Sequence, residues 1–295
     1  MTNAHGRGAE ARSLLLALGL ALGIMLIEFV GGSISHSLAL RADAGHMLTD
    51  ASTLLLTLAA LWLSGRPADD RRTYGYYRLE ILAAAVNGMA LAGIAVLVLL
   101  SAWHRFKVHT PVDAGTMLIA ATAGLLANLG GYFLLSRHRH HSLNVRAARW
   151  HLLGDVLSSL GVVTAAVAIS LTHFYLLDPI LSVGIALLIV YGAARLLAEA
   201  VDILLEAVPR HLDLAEILLA LQRAEGVRAV HDLHLWTISS GRYALSAHLV
   251  VGGGDITRCD SILSAVKTDL ERSFGIAHTT LQIESDAYRH VEEVH

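Results

Sequence analysis

The 295-residue sequence has a single cysteine, Cys259, which excludes an intrachain disulfide framework and any cysteine-rich zinc module. It has only four prolines, and aromatic residues make up 6% of it, so long stretches run without a helix breaker. Charge is scarce as well. Asp, Glu, Lys and Arg together form 16% of the chain, and 22 basic against 25 acidic residues leave a formal net charge of -3. No strongly basic segment stands out, which removes the electrostatic ground for a nucleic-acid partner. What is abundant is apolar: 55% of residues are hydrophobic and the mean hydropathy is +0.56, above the usual share for a soluble protein. There are also 17 histidines. With one thiol, any bound metal must be held mainly by imidazole and carboxylate.

A helix that crosses a bilayer needs about 20 mostly apolar residues. Six stretches qualify: 13–33, 38–63, 79–103, 113–135, 147–172 and 175–200. The first exceeds a signal-peptide core of about 7–15 apolar residues and reads as a retained helix. Basic residues gather at the N-terminus (Arg7, Arg12), in the second connection (Arg66, Arg71, Arg72, with Arg78 at its edge) and in the fourth (Arg137, Arg139, Arg146, Arg149). The first and fifth connections have none, and the third only Arg105 and Lys107. Because basic loops stay in the cytoplasm, both termini are expected there. This predicts a cytoplasmic tail over 1–12 and a six-helix polytopic membrane domain over 13–208.

After Pro209 the pattern changes to short mixed elements. Asp213 followed by Glu216 reads as a capping box, opening an amphipathic helix through Ala224 that Gly226 ends. Two strand-like runs, "VRAVHDLHLWTI" and "RYALSAHLVV", flank the turn signal "SSG". A second helix over 257–274 stops at Gly275. The final run alternates, with His278, Thr280, Gln282 and Glu284 on one face and Thr279, Leu281 and Ile283 on the other. The order αββαβ predicts a small α+β domain over 209–295, of ferredoxin-like or metallochaperone-like kind.

Two motifs break the apolar runs: "HMLTD", His46 to Asp50, and "HLLGD", His151 to Asp155. An ionisable side chain in a bilayer core costs roughly 2.5–3.5 kcal/mol on insertion scales, so each needs a reason. Residues i and i+4 share a helix face, so each motif presents an imidazole and a carboxylate to one side. On one soluble helix this would usually be a solvated face. Two copies on two spanning segments favour one shared site of two His and two Asp, which matches the tetrahedral N/O shell of zinc. The two carboxylates also cancel the charge of a divalent ion. Asp43 lies three residues before His46 on nearly the same face and is a candidate ion relay. Glu28, Asn87 and Asn128 are explained equally well by helix-to-helix hydrogen bonds or by transport.

Together with this six-span layout, "SLALRADAGHMLTDASTLL", "TYGYYRLEILAAAVNG", "RWHLLGDVLSSLGVV", "LDPILS" and the tail "VHDLHLWTI…SAHLVV…TTLQIE" resemble the cation diffusion facilitator family, in particular its zinc-exporting members. The resemblance covers nearly the whole chain with the motifs in order. It implies a homodimer that exchanges cytoplasmic Zn²⁺ for protons by alternating access, and the compact loops without a long His-rich insert point to a bacterial inner membrane. The transport site then maps onto His46, Asp50, His151 and Asp155. The resemblance leans towards zinc over cadmium, with cobalt less readily set aside. It further implies regulatory zinc at His231, His248 and Glu284 in the tail, with His278 and His234 as additional candidates. A charge interlock between Arg78 and Glu206 is also implied. Gln282 is a poor zinc ligand, which argues against a binuclear site. The "RHRHH" cluster over 137–141 reads equally as a weak zinc-capturing segment or as a basic flank.

Two other classes compete. An intramembrane zinc hydrolase would keep an open coordination position and a general base, yet no HExxH run is present and neither His-Asp motif includes a glutamate. A membrane-anchored zinc sensor would use the helices only as an anchor for the tail.

Overall fold

The computed structural model describes the backbone of residues 4–63, 69–108, 110–137, 143–252 and 256–285. Side chains are described for these residues except 4–14, 16–17, 50, 53–54, 57, 60–61, 63, 134–137, 143–152 and 256–257. Six long helices come first: α1 (Ala4–Ile34), α2 (Leu38–Leu63), α3 (Arg78–Lys107), α4 (Ala114–Arg137), α5 (Leu143–Thr172) and α6 (Leu177–Leu204). The remainder is α7 (Leu214–Arg223), β1 (Val227–Ser239), β2 (Arg242–Val251), α8 (Ile256–Phe274) and β3 (His278–Ser285). All six expected spans are helical. Several helices run past the apolar stretch, α3 to Lys107 and α6 to Leu204, because adding a residue to an existing helix is far easier than nucleating one.

The chain divides into two compact units, Met1–Gly65 with Ala83–Leu197, and Arg66–Leu82 with Ala198–His295. In the first, α1 packs on α2 and α4, α4 on α5, and α2 on α5. Small residues set the spacing. Gly31 of α1 sits so close to Ala120 of α4 that a Cβ would overlap it. Gly45 of α2 faces α3 and α6, where a Cβ would lie 3.2 Å from Ile94 and 3.9 Å from Ile189. Ala39, Ala42, Ala95, Ala166 and Ala186 are fully buried beside Leu40, Met117 and Val162. Such contacts drive helix association where lipid tails are as apolar as leucine. Leu97, Ile119, Leu126, Leu171 and Leu188 face outwards. Among the described residues, four helical stretches are long and apolar enough to cross a membrane: Arg78–Lys107, Ala114–Phe133, Leu153–Thr172 and Leu177–Leu204. Leu18–Ile34 is a shorter apolar stretch.

One polar knot holds the start of α2. Asp178 in the first turn of α6 is fully buried. Its carboxylate accepts hydrogen bonds from Ser37 Oγ at 2.6 Å, Leu38 N at 2.8 Å and Ala39 N at 3.1 Å. Arg105 Nη1 of α3 donates to the same carboxylate at 2.9 Å and to the His36 carbonyl at 2.5 Å. The first backbone N–H groups of a helix have no partner within it, and here a carboxylate from a distant helix supplies one. Ser37 Oγ adds a local cap by accepting from Leu40 N at 3.1 Å.

In the second unit, Asp213 caps α7 by accepting from Ala215 N at 2.8 Å. The chain leaves that helix through Gly226, whose φ of +94° favours glycine and where a Cβ would lie 2.7 Å from Ile262. The three strands lie in the order β1-β2-β3, with β1 antiparallel and β3 parallel to β2. Gly241, at φ +70°, makes the β1–β2 turn, and α8 provides the crossover to β3. Ile217, Leu221, Leu245, Leu249, Val266 and Leu270 form the core between helices and sheet. The expected αββαβ order is present, with α8 beginning one residue earlier than the sequence pattern indicates and α7 ending one residue sooner.

Replacing Asp178 by alanine strands a buried guanidinium and two N–H groups, and removing one member of such a pair typically costs about 3–5 kcal/mol. The thermal unfolding midpoint of purified Asp178→Ala protein is expected to fall clearly, with Asp178→Asn intermediate because it keeps an acceptor oxygen. Equal midpoints for wild type and Asp178→Ala would refute the clamp.

Candidate metal centres

On α2 and α5 an imidazole meets a carboxylate. His46 Nε2 lies 3.7 Å from Asp155 Oδ1, and the Asp155 side chain is 4% exposed against 30% for His46. That separation is too long for a hydrogen bond. One turn away, Ser158 Oγ donates to Asp43 Oδ1 at 2.6 Å. The two contacts define the register of an antiparallel pair: a step from 43 to 46 along α2 is answered by a step from 158 to 155 along α5. Continued by four residues on each helix, the same pairing would set backbone positions 50 and 151 opposite each other. The side chains of Asp50 and His151 lie outside the described residues.

Around this pair the polar groups are deeply buried. Asn128 Nδ2 of α4 donates to Ser159 Oγ of α5 at 3.2 Å, so Asn128 takes the helix-to-helix hydrogen bond. Glu28 of α1 is fully buried, and neither of its carboxylate oxygens has a hydrogen-bond partner among the described residues. The charges of Asp43 and Asp155 act on it, and Gly124 of α4 faces it with no room for a Cβ. Asn87 Nδ2 likewise lacks a partner among the described residues.

The sheet carries a second cluster. His231 of β1 is paired in register with His248 of β2, which is paired with Gln282 of β3. His231 Nε2 lies 3.0 Å from Glu284 Oε2, and His248 Nδ1 lies 3.0 Å from Glu284 Oε1. The three side chains can place one ligand atom each within 4.8 Å of one another, a spread that a single ion can gather. Gln282 Nε2 donates to Glu284 Oε1 at 2.8 Å, so this amide orients the carboxylate. Burial pushes the Glu284 pKa up. Hydrogen bonds from His231 and Gln282 and the charges of His231 and His248 outweigh that and hold it below the usual carboxylate range.

The other expected residues separate. His278 is paired in register with Ala244, four residues along β3 from Gln282, and its ring meets the Tyr74 ring at 5.3 Å instead. His234 Nε2 lies 2.9 Å from Asp232 Oδ1, while Asp232 Oδ2 reaches His248 Nε2 at 3.4 Å. Asp232 is the member that sequence reading missed. The register slips by one residue between His231 and His234, and Asp232 sits in that bulge at φ +50°. Strict alternation would place His231 and His234 on opposite faces, and the extra residue returns them to one. An aspartate between two histidines in "HDLH" was the available signal. Arg78 Nη2 lies 2.7 Å from Glu206 Oε1, so the expected pair forms, with both side chains about half exposed. The 137–141 cluster lies outside the described side chains.

Apolar spanning helices with an imidazole–carboxylate pair between two of them, and an α+β domain bearing its own His/Glu cluster, define a polytopic membrane protein that handles cations. Residues 14–205 match the cation efflux transmembrane domain, and residues 209–286 match the cytoplasmic domain of cation efflux proteins. The chain belongs to the cation efflux family, the cation diffusion facilitators, and is a multi-pass membrane protein of divalent cation efflux. It is 43% identical over 282 residues to the zinc transporter ZitB of Escherichia coli (strain K12), covering 93% of this chain and 88% of that one. It is 39% identical over 277 residues to the metal cation efflux system protein CzcD of Cupriavidus metallidurans, covering 94% and 87%. The cadmium, cobalt and zinc/H(+)-K(+) antiporter of Bacillus subtilis (strain 168) is 36% identical over 293 residues, covering 98% and 94%. A solved metal-bound C-terminal domain of the CzcD transporter is 34% identical, covers 25% of this chain and 99% of its own, and superposes with a TM-score of 0.23.

The lowered Glu284 pKa has a signed consequence. A carboxylate whose folded pKa lies below its ordinary value of 4.5 favours folding at every pH above that value, and the benefit disappears as pH falls through the folded pKa. Metal-free protein is therefore expected to lose thermal stability as pH drops below about 4.5, and Glu284→Gln to show a flatter acid limb. Identical acid limbs would show that Glu284 is not held in this way.

Proposed function

We propose that this chain is a proton-coupled zinc exporter whose transport site is His46, Asp50, His151 and Asp155. The observation that carries this is the approach of His46 to Asp155, with Ser158 bonded to Asp43 one turn away, a pairing whose continuation along both helices supports the inclusion of Asp50 and His151. Two imidazoles and two carboxylates suit zinc better than magnesium or calcium, which take more oxygens. Imidazole binds metal only when neutral, and its ordinary pKa of about 6.5 lets a proton compete near neutral pH. Zinc entering from the cytoplasm displaces protons from the histidines, and protons arriving from the other side after the site reopens displace zinc. Asp43, one turn from His46 and bonded to Ser158, lies on the ion path.

The remaining assignments follow from the same reading. Both termini lie in the cytoplasm, the membrane is the bacterial inner membrane, and two copies of the chain assemble through the tail domain. His231, His248 and Glu284 hold a regulatory zinc, with Asp232 and His234 beside it; a water completes the shell if only three protein ligands bind. The relatives' names support zinc first and keep cobalt and cadmium as further substrates.

Reconstituted into vesicles loaded with a zinc-sensitive dye, the protein is expected to move zinc when a pH gradient is applied. His46→Ala and Asp155→Asn should each slow this by about 100-fold or more, since even outer-shell partners of metal ligands are worth 10–100-fold. His231→Ala should leave the membrane site's metal binding intact. Undiminished flux in both membrane-site variants would overturn the assignment, and absence of any gradient-driven flux in wild type would favour a sensor.

A further inference from the structure

At the end of the helical unit where α2 begins, a cavity of about 450 Å³ is lined by Arg41 of α2 and by Leu97, Leu100, His104 and Arg105 of α3. The charges there do not cancel. Arg105 is paired with Asp178, whose carboxylate is already engaged with Ser37, Leu38 and Ala39. The charge of Arg41 acts on Arg105, and Arg41 has no carboxylate partner among the described residues. Of the two guanidinium groups, only that of Arg105 is matched by a carboxylate among the described residues. A cation in this position at a membrane calls for an anion.

The stem of Arg41 is also confined. It crosses α1 at Gly32, where a Cβ would lie 2.7 Å from Arg41 Cγ, so the glycine opens the path that the side chain takes. Within the lining, Leu97 and Leu100 are 65% and 61% exposed and lie on the same face of α3 as His104. On the next face, the Lys107 ammonium sits 4.9 Å from the centre of the Trp103 ring. Trp and Lys at a helix end mark the water–lipid boundary. The cavity is therefore basic at headgroup depth and apolar towards the hydrocarbon, which suits a lipid with an anionic headgroup.

We propose that this cavity binds the phosphate of an anionic phospholipid between Arg41 and His104, with the acyl chains lying along Leu100 and Leu97. A guanidinium can grip two phosphate oxygens at once. The excess positive charge selects phosphatidylglycerol over phosphatidylethanolamine, because the latter carries its own ammonium.

The test is thermal unfolding of the purified full-length protein in detergent, with added phosphatidylglycerol, phosphatidylethanolamine or inorganic phosphate. Phosphatidylglycerol at about a hundredfold excess over its Kd is expected to raise the midpoint by about 5 °C, and phosphatidylethanolamine by less than half of that. Arg41→Gln should lose most of the rise. Should that variant fail to fold, Arg41→Lys keeps the stem and charge but not the two-bond grip, and is expected to lose at least half. Lys107→Gln, outside the cavity, should keep the full effect. The proposal is overturned if the Arg41 variants respond like wild type, if both lipids act equally, or if inorganic phosphate reproduces the whole rise, which would mean a free-anion site.

Discussion

Hydrocarbon does not solvate charge, and every ionisable side chain placed within it must be answered by the protein itself. The helical unit is arranged around that constraint. At the start of α2, close to the water–lipid boundary, the buried Asp178 is met by Arg105, a hydroxyl and two backbone N–H groups. About one and a half turns further along, Asp43 is met by Ser158, and the next turn brings His46 to Asp155. Glu28 is the exception, a fully buried carboxyl without a hydrogen-bond partner among the described residues. These contacts tie α2 to α3, α5 and α6, so the helix bearing half of the proposed transport site is fixed by polar contacts in an otherwise featureless apolar environment.

The small-residue contacts serve the same end. Gly31 against Ala120 lets α1 and α4 approach closely, and Gly45 does so for α2 against α3 and α6. In the sheet unit the equivalent device is the bulge at Asp232. It realigns β1 so that His231 faces His248 while Leu233 and Leu235 still meet the core.

Much of this was legible in the residues. Each of the six apolar runs holds a helix, and among the described residues four of these are long and apolar enough to cross a bilayer. The αββαβ order followed from period-two and period-3.6 patterns punctuated by Gly226, Gly241 and Gly275, all at positive φ. His231, His248 and Glu284 were brought together as the resemblance implied, and Arg78 met Glu206. His278 was on the expected face but four residues too far along its strand, because alternation gives the face and not the register.

The sequence by itself determined which segments are helices, which face of each bears charge, and which residue types are available to a metal, since these depend on local periodicity and composition. Only the tertiary structure decided the partners. The register of α2 against α5, the carboxylate of α6 capping α2, the slip that turns Asp232 towards two histidines, and the unmatched charge at Arg41 all depend on contacts between residues distant in the chain. Such contacts are set by packing and by the cost of leaving a polar group unanswered, and no local pattern encodes them.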